Sequence, residues 1–319
     1  RRTIVKIGLD GRHSRGGIII RGMRTAPLAL VIPWMACGAM GGEVAPKAPG
    51  EKQVGIVASL AAKLEPSRTV PYKTIGGTTL KLHVFEPAGH KPSDSRPCMV
   101  AIHGGGWVGG EPRRFYPFAA HFAQIGFVGV SIEYRLMKKG SGVTPFDCVK
   151  DGRSAVRYIR SHAADFGIDP RKIAVCGGSA GGHVAAGTAL FEGIDDPADD
   201  RTIQPGGDAL VLYFPVIDTS SEGYGNAKCG EAWQEISPLH RVRAGLPPTI
   251  VFHGTGDTVT PFKGASAFRD AMVAAGNRCE LVVNDGGKHG YLMNDAVIYE
   301  QTMRQTREFL LSLGFESRP

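Results

Sequence analysis

From residue 70 onward, short apolar runs alternate with longer mixed stretches. The first two runs, 70–75 and 78–85, flank Gly76-Gly77, and the second alternates at Leu80, Leu82 and Val84. Two such segments about a glycine pair predict a β-hairpin. Six further runs, 99–102, 127–132, 173–176, 209–214, 249–252 and 281–283, are continuously apolar, as expected of strands buried on both faces. Between them, 112–125, 145–162, 180–191, 261–275 and 295–313 are long enough for helices. In one of these, Phe268, Ala271, Met272 and Ala275 recur at helical spacing and Gly276 closes the pattern. A further apolar segment at 54–64 predicts a helix lying over the domain. Strands alternating with helices, with burial on both sides, predict an α/β fold: a mostly parallel sheet with helices on both faces. The one long excursion, 218–244, is rich in Gly, Ser and charge and is expected to form a lid or rim rather than a second domain.

The 319 residues are 42% hydrophobic and 21% charged, an ordinary globular composition. The formal charge of +7 invites a nucleic-acid reading, but its location argues otherwise. Residues 1–47 hold eight Lys/Arg against two Asp/Glu, whereas the remaining 272 hold 29 against 28. A body near neutrality offers no phosphate-tracking stripe, so no nucleic-acid partner is expected. The 1–47 segment is read as a leader outside the fold, with 48–319 as a single domain. From Met23 it runs through Arg24, an apolar stretch at 26–36 and small residues about Cys37, Gly38 and Ala39. This is the layout of a secretory signal peptide, too short for a stable membrane span, and it predicts a secreted or periplasmic protein. The six cysteines (37, 98, 148, 176, 229 and 279) show no CxxC spacing, so no metal site is expected. Cys98, Cys148 and Cys176 read as buried small hydrophobes, and a Cys229–Cys279 bridge is open in an oxidising compartment.

The chemistry centres on the apolar run ending at Cys176, which leads directly into Gly177-Gly-Ser179-Ala-Gly181 and then a helical pattern. Composition alone produces roughly 0.3 such Gly-x-Ser-x-Gly matches in a chain like this, so the strand-turn-helix setting carries the weight. There Ser179 sits on a strained turn, and a Cβ at either flanking glycine would strike a neighbouring strand or helix. A serine hydroxyl needs a base, and the base an orienting carboxylate, following in the order Ser, acid, His at the ends of later strands. Asp257 follows the 249–252 run and precedes a helix start marked by Pro261. His289 follows the 281–283 run in Gly286-Gly-Lys-His289-Gly. Asp285 and Asp295 lie too close to His289 in sequence to reach its far ring nitrogen from an independent strand, and Asp218 follows the wrong strand. His183 and His253 are expected to be structural hydrogen-bonders.

Acyl transfer also develops an oxyanion that fixed donors must meet. The run at 99–102 ends in His103-Gly-Gly-Gly-Trp107, where missing side chains leave backbone N–H groups free to face a cleft. Gly104 and Gly105 are the candidate donors, joined by the N–H of Ala180. His103 is expected to brace the loop, and Trp107 and Tyr134 to line the substrate pocket. The same run formally matches a dinucleotide fingerprint, Gly104-x-Gly106-x-x-Gly109, with Glu133 further on. In that motif the helix begins within the glycines, whereas Pro112 here delays it beyond them, so a bound nucleotide is not expected.

With these residues assembled, the chain resembles the α/β-hydrolase superfamily, and within it the HGGG esterases of the hormone-sensitive-lipase and acetyl-esterase type. The resemblance runs from about Val70 to the C-terminus and includes Tyr134-Arg-Leu136, Asp151 followed by Ala155-Val-Arg-Tyr158, and Phe166-Gly-Ile-Asp169-Pro. It implies an eight-stranded sheet with the triad at its carboxyl-end rim, no cofactor, and a serine carboxylesterase acting on short acyl or aryl esters. Where such esterases usually continue Ala-Pro-Glu after Tyr-Arg-Leu, this chain has Met137-Lys-Lys-Gly-Ser-Gly-Val-Thr-Pro145, closer to secreted polysaccharide-active or lipase-like relatives. Acetyl or feruloyl groups on plant polysaccharide are the substrates that the resemblance and export together imply. The alternatives are a peptidase resembling the prolyl-oligopeptidase hydrolase domain and a non-catalytic binder of the same fold.

Overall fold

The computed structural model describes residues 55–316, so the expected leader lies outside the described residues. Eight strands form one sheet: β1 (Arg68–Ile75), β2 (Thr78–Phe85), β3 (Arg96–Ile102), β4 (Val128–Ile132), β5 (Ile168–Gly178), β6 (Ala209–Tyr213), β7 (Thr249–Gly254) and β8 (Cys279–Asn284). Their spatial order is β1-β2-β4-β3-β5-β6-β7-β8. The β1/β2 hairpin and the β2/β4 pair are antiparallel, and every later pair is parallel. The helices are α1 (Ile56–Ala61), α2 (Tyr116–Gln124), α3 (Pro145–Ser161), α4 (Ala180–Leu190), α5 (Asn226–Cys229), α6 (Phe262–Ala274) and α7 (Ala296–Leu311).

The continuous apolar runs form strands because each is covered twice. Along β3, Cys98, Val100 and Ile102 pack into one core while Met99 and Ala101 pack into the other. Along β6, Leu210 and Leu212 oppose Ala209, Val211 and Tyr213 in the same way. Successive side chains of a strand point to opposite faces, so two-sided burial requires apolar residues at every position. The first core is closed by α3, α4 and α6, the second by α1, α2 and α7. Helix α3 starts where Pro145 occupies the first turn and the Asp147 carboxylate accepts from both the N–H and the hydroxyl of Thr144. The strand predicted at 173–176 begins earlier, at Ile168, because Arg96 pairs with Ile168 before the register shifts ahead of the Cys98–Ile173 pair.

The described cysteines are all free and buried, so Cys229 and Cys279 form no bridge. Burial pushes both thiols up to about 12, because the thiolate would lose its hydration. Among the described residues no helix is long and apolar enough to cross a membrane. The 218–244 excursion holds α5 and two 3-10 turns, at Trp233–Ile236 and Pro238–Arg241.

Candidate active site

The parallel strands deliver the functional side chains to one rim. Ser179 stands at the end of β5 with φ 56° and ψ −124°, a conformation that L-residues adopt only when the surroundings enforce it. Its amide donates to Tyr213 O at 3.0 Å, and its carbonyl accepts from Val216 and His183. The flanking glycines are sterically required. A Cβ on Gly177 would lie 2.3 Å from Gly181 O, and one on Gly181 would lie 2.2 Å from Ile102 O, against the end of β3. The strained turn is thus wedged between β3 and the first turn of α4, with the hydroxyl on its open side.

His289, in the loop after β8, reaches Ser179 Oγ with Nε2 at 3.0 Å, and its Nδ1 lies 2.8 Å from Asp257 Oδ2. Asp257, in the loop after β7, has its side chain entirely withdrawn from solvent. Its Oδ1 accepts the N–H groups of Val259 and Thr260, each at 2.9 Å, and its Oδ2 accepts the Thr260 hydroxyl at 2.9 Å. Burial opposes ionisation here, but hydrogen bonds from His253, His289 and the Thr260 amide outweigh it and hold the carboxyl far below the usual carboxylate range. With Asp257 charged, the Nδ1–H tautomer of His289 is favoured, which leaves Nε2 unprotonated and facing the serine.

The rival residues take other roles. Asp285 accepts from Thr255, Asp295 caps α7 through Ile298 N, and Asp218 accepts the amide of Ser220. His183 donates through Nε2 to Ile236 O, and burial depresses it to about 4. His253 donates to Thr260 O at 2.7 Å and passes Asp257 at 3.5 Å, so it braces the acid's turn. His103, also pushed down by burial to about 4, is neutral and donates to Gly104 O.

A cleft of about 320 Å³ opens on Ser179 and His289. Its walls are Gly104, Gly105, Gly106, Arg114, Phe115, Gly178, Phe214, Tyr224, Val259 and Met293. Gly104 and Gly105 both line this cleft, and a Cβ on Gly104 would come within 3.1 Å of Ser179 Cβ. Ala180 is the first residue of α4, so its amide belongs to an N-terminus whose N–H groups have no partner within the helix. Larger hollows, such as one of 570 Å³ lined by Asp94, Asp169 and Arg171, contain none of these residues.

Two expectations are corrected. Trp107 and Tyr134 do not line the cleft. Trp107 has φ 63°, which turns its ring down against His183 and Tyr224, and it is wholly buried. Tyr134 is stacked on His103 and donates its hydroxyl to His103 O, behind the loop. The apolar walls are instead Phe115, Phe214, Val259 and Met293. Phe214, another positive-φ residue at 34°, sets its ring edge-on to His289 at 5.1 Å. Thr260, Phe214 and Tyr224 were not singled out by sequence. Only Thr260 left a trace there, as the threonine three residues after an aspartate just before a helix. The glycine run follows the esterase pattern and not the dinucleotide one, since α2 begins only at Tyr116, after a 3-10 turn at Pro112–Phe115.

Comparison with known proteins places the chain among esterases. Residues 82–220 match the family described as BD-FAE, and residues 209–313 match the prolyl oligopeptidase family. Esterase LipQ of Mycobacterium tuberculosis is 28% identical over 231 residues, 65% of this chain and 52% of that protein. AB hydrolase superfamily protein C1039.03 of Schizosaccharomyces pombe is 35% identical over 169 residues, 52% of this chain and 46% of that protein. The chain therefore spans about half the length of these curated relatives. The solved esterase 2 of Thermogutta terrifontis is 40% identical, with a TM-score of 0.75 over 79% of this chain and 96% of its own; it has also been solved phosphorylated by paraoxon and with butyrate bound. On that coverage and identity, the chain belongs to the esterase family of the α/β-hydrolase superfamily.

Proposed function

We propose that the protein is a serine carboxylesterase for short acyl or aryl esters. The observation that carries the reading is the unbroken hydrogen-bond path from Ser179 Oγ through His289 to Asp257, with links of 3.0 and 2.8 Å, opening on a small cleft. Ser179 Oγ attacks the ester carbonyl carbon while His289 Nε2 takes its proton. The carbonyl electron pair moves to oxygen, which the N–H groups of Gly104, Gly105 and Ala180 receive. Collapse expels the alcohol, protonated by His289, and water repeats the sequence on the acyl-enzyme. Asp257 stays ionised throughout and stabilises the imidazolium. A cleft of this size, walled by two phenylalanines, Val259 and Met293, suits an acyl chain of a few carbons, in keeping with the butyrate bound by the Thermogutta esterase.

Exported action on acylated polysaccharide is the finer form of this proposal. It rests on the signal-like pattern from Met23 and on the departure after Leu136. The match to the prolyl oligopeptidase family over 209–313, the part carrying Asp257 and His289, favours one second reading, amide hydrolysis. A fluorophosphonate probe applied to wild type and Ser179→Ala tests the nucleophile, with labelling expected only in wild type. Paired p-nitrophenyl esters and p-nitroanilides separate the two reactions, and the ester is expected to turn over at least 100-fold faster. Rates across p-nitrophenyl acetate to decanoate are expected to peak at two to four carbons. N-terminal sequencing of the extracellular protein tests export.

A further inference from the structure

The glycine loop has a regularity that the triad does not explain. From His103 to Trp107, five successive backbone carbonyls are each held by a separate donor. His103 O accepts from the Tyr134 hydroxyl (2.9 Å), Gly104 O from the His103 ring (2.9 Å) and Gly105 O from Gly109 N (3.1 Å). Gly106 O accepts from Lys228 Nζ (3.2 Å), and Trp107 O accepts from Met137 N (2.8 Å). Four of these donors come from the loop itself or from the segment after β4. The fifth crosses from α5 in the excursion, 122 residues away in sequence.

Lys228 is built into this contact. Its Nζ also donates to the Tyr224 hydroxyl at 3.2 Å and stands over the rings of Tyr224 and Trp107, at 5.0 and 5.8 Å from their centroids. Among the described residues it makes no ion pair; its partners are two neutral oxygens and two aromatic faces. Both sides of the contact are closely fitted. A Cβ on Gly106 would lie 2.6 Å from the Tyr224 hydroxyl, and one on Gly225 would lie 2.5 Å from the Trp107 ring.

We propose that Lys228 is a positioning residue for the loop that receives the oxyanion, an inference that rests on the serine-esterase reading. Gly105, Gly106 and Trp107 have φ of 128°, 62° and 63°, a run in which a glycine peptide can rotate end for end at little steric cost. Rotation of the Gly106–Trp107 peptide would present an N–H to the Lys228 ammonium in place of the carbonyl, two positive ends face to face. The ammonium therefore selects the carbonyl-out orientation of that one peptide and, through it, holds the loop on which the Gly104 and Gly105 amides stand before substrate arrives. Such preorganisation acts on the transition state, where charge develops, more than on the bound ester.

The test compares wild type, Lys228→Met and Lys228→Arg on p-nitrophenyl butyrate, with folding checked by thermal melts. Each is also titrated with an aryl trifluoromethyl ketone, which adds to Ser179 Oγ and places an alkoxide where the oxyanion forms. In Lys228→Met, kcat is expected to fall roughly 10- to 100-fold with KM within about threefold, less than deleting an oxyanion donor outright. Affinity for the ketone should fall by the same factor as kcat/KM, and Lys228→Arg should recover most of both. A folded Lys228→Met with unchanged kcat overturns the proposal, and so does a fall in kcat that the ketone affinity does not follow. Should Lys228→Met fail to fold, Lys228→Gln keeps an N–H donor without the charge; its kcat/KM and ketone affinity are expected to fall together about 3- to 10-fold, and unchanged values overturn the proposal. Wild type that takes no Ser179-dependent phosphonate label removes the esterase reading itself. A labelled, active wild type whose Lys228→Met matches it removes only the role of Lys228.

Discussion

Asp151 on α3 and Asp257 after β7 both have side chains with no exposure to solvent, yet they are compensated in different ways. Asp151 receives Lys73 Nζ at 2.7 Å and the Arg135 amide and guanidinium at 2.7 to 3.0 Å. Around it, Lys73 also meets Asp196, and Arg153 and Arg157 share Asp195. All of these charged partners are lysine or arginine side chains, donors with no acceptor of their own. Asp257 is met by two amides, a hydroxyl and the His289 imidazole, with His253 Nε2 passing at 3.5 Å. In the proposed reaction the His289 imidazole becomes charged when Ser179 gives up its proton. A buried carboxylate facing fixed cations is therefore a strut. One facing neutral dipoles and a histidine holds its charge in reserve for a state that exists only during reaction.

The largest expected effect breaks the comparison at its catalytic end. Asp257→Asn keeps the shape but lets the His289 ring choose the wrong tautomer, and kcat is expected to fall by roughly 10³ to 10⁴. Active-site titration with a phosphonate, to count folded sites, makes this a statement about kcat. A loss under tenfold would mean that another group orients His289. The matching substitution at the strut, Asp151→Asn, leaves Lys73 and Arg135 facing a neutral amide and should destabilise the fold by about 3–5 kcal/mol. Denaturant melts measure this. The kcat per titrated site is expected to stay within about threefold, and a large fall would show that the network reaches the cleft.

Why one aspartate was readable in sequence and the other's surroundings were not follows from the same contrast. The sheet was legible because two-sided burial leaves no polar position in a strand such as β3 or β6. Ser179 was legible because the backbones of Gly181 and Ile102 forbid any side chain on Gly177 and Gly181, so the motif records a steric fact. Asp257 and His289 followed from strand order. Trp107 and Tyr134 were misjudged because an aromatic residue beside a glycine loop gives no sign of its side-chain direction, and the positive φ that turns Trp107 inward is not written in its identity. Lys228 was invisible for another reason. Its partner Gly106 lies across the fold, and a lysine in a polar excursion looks like any solvated lysine.

Acid sharpens the comparison further. The folded-state pKa of Asp257 is depressed, so its ionised form contributes stability that is present above the unfolded carboxylate value near 3.9. That contribution is lost as pH falls through the folded value. The stability gap between wild type and Asp257→Asn is therefore expected to be full at pH 6 and to narrow steadily toward pH 2. Urea melts across that range check it, and a gap that is constant with pH would remove the charge from the account of how Asp257 is held.

The smallest effect concerns how many donors Asp257 needs. Thr260 supplies two, its amide to Oδ1 and its hydroxyl to Oδ2, and the hydroxyl also lies 3.2 Å from His289 Nδ1. Thr260→Val keeps the β-branched shape and the amide but removes the hydroxyl. Oδ2 then retains His289, and Oδ1 retains both amides. The lost bond is one to a charged acceptor, so a destabilisation of about 1.5–3 kcal/mol is expected. The catalytic effect should be smaller, a fall in kcat of roughly threefold to tenfold, because Oδ2 remains bonded to Nδ1 and the tautomer is unchanged. If the kcat of Thr260→Val instead approached that of Asp257→Asn, the hydroxyl would be the group that sets the imidazole, and Asp257 would be closer in kind to Asp151: a carboxylate that holds a turn together while its neighbour does the orienting.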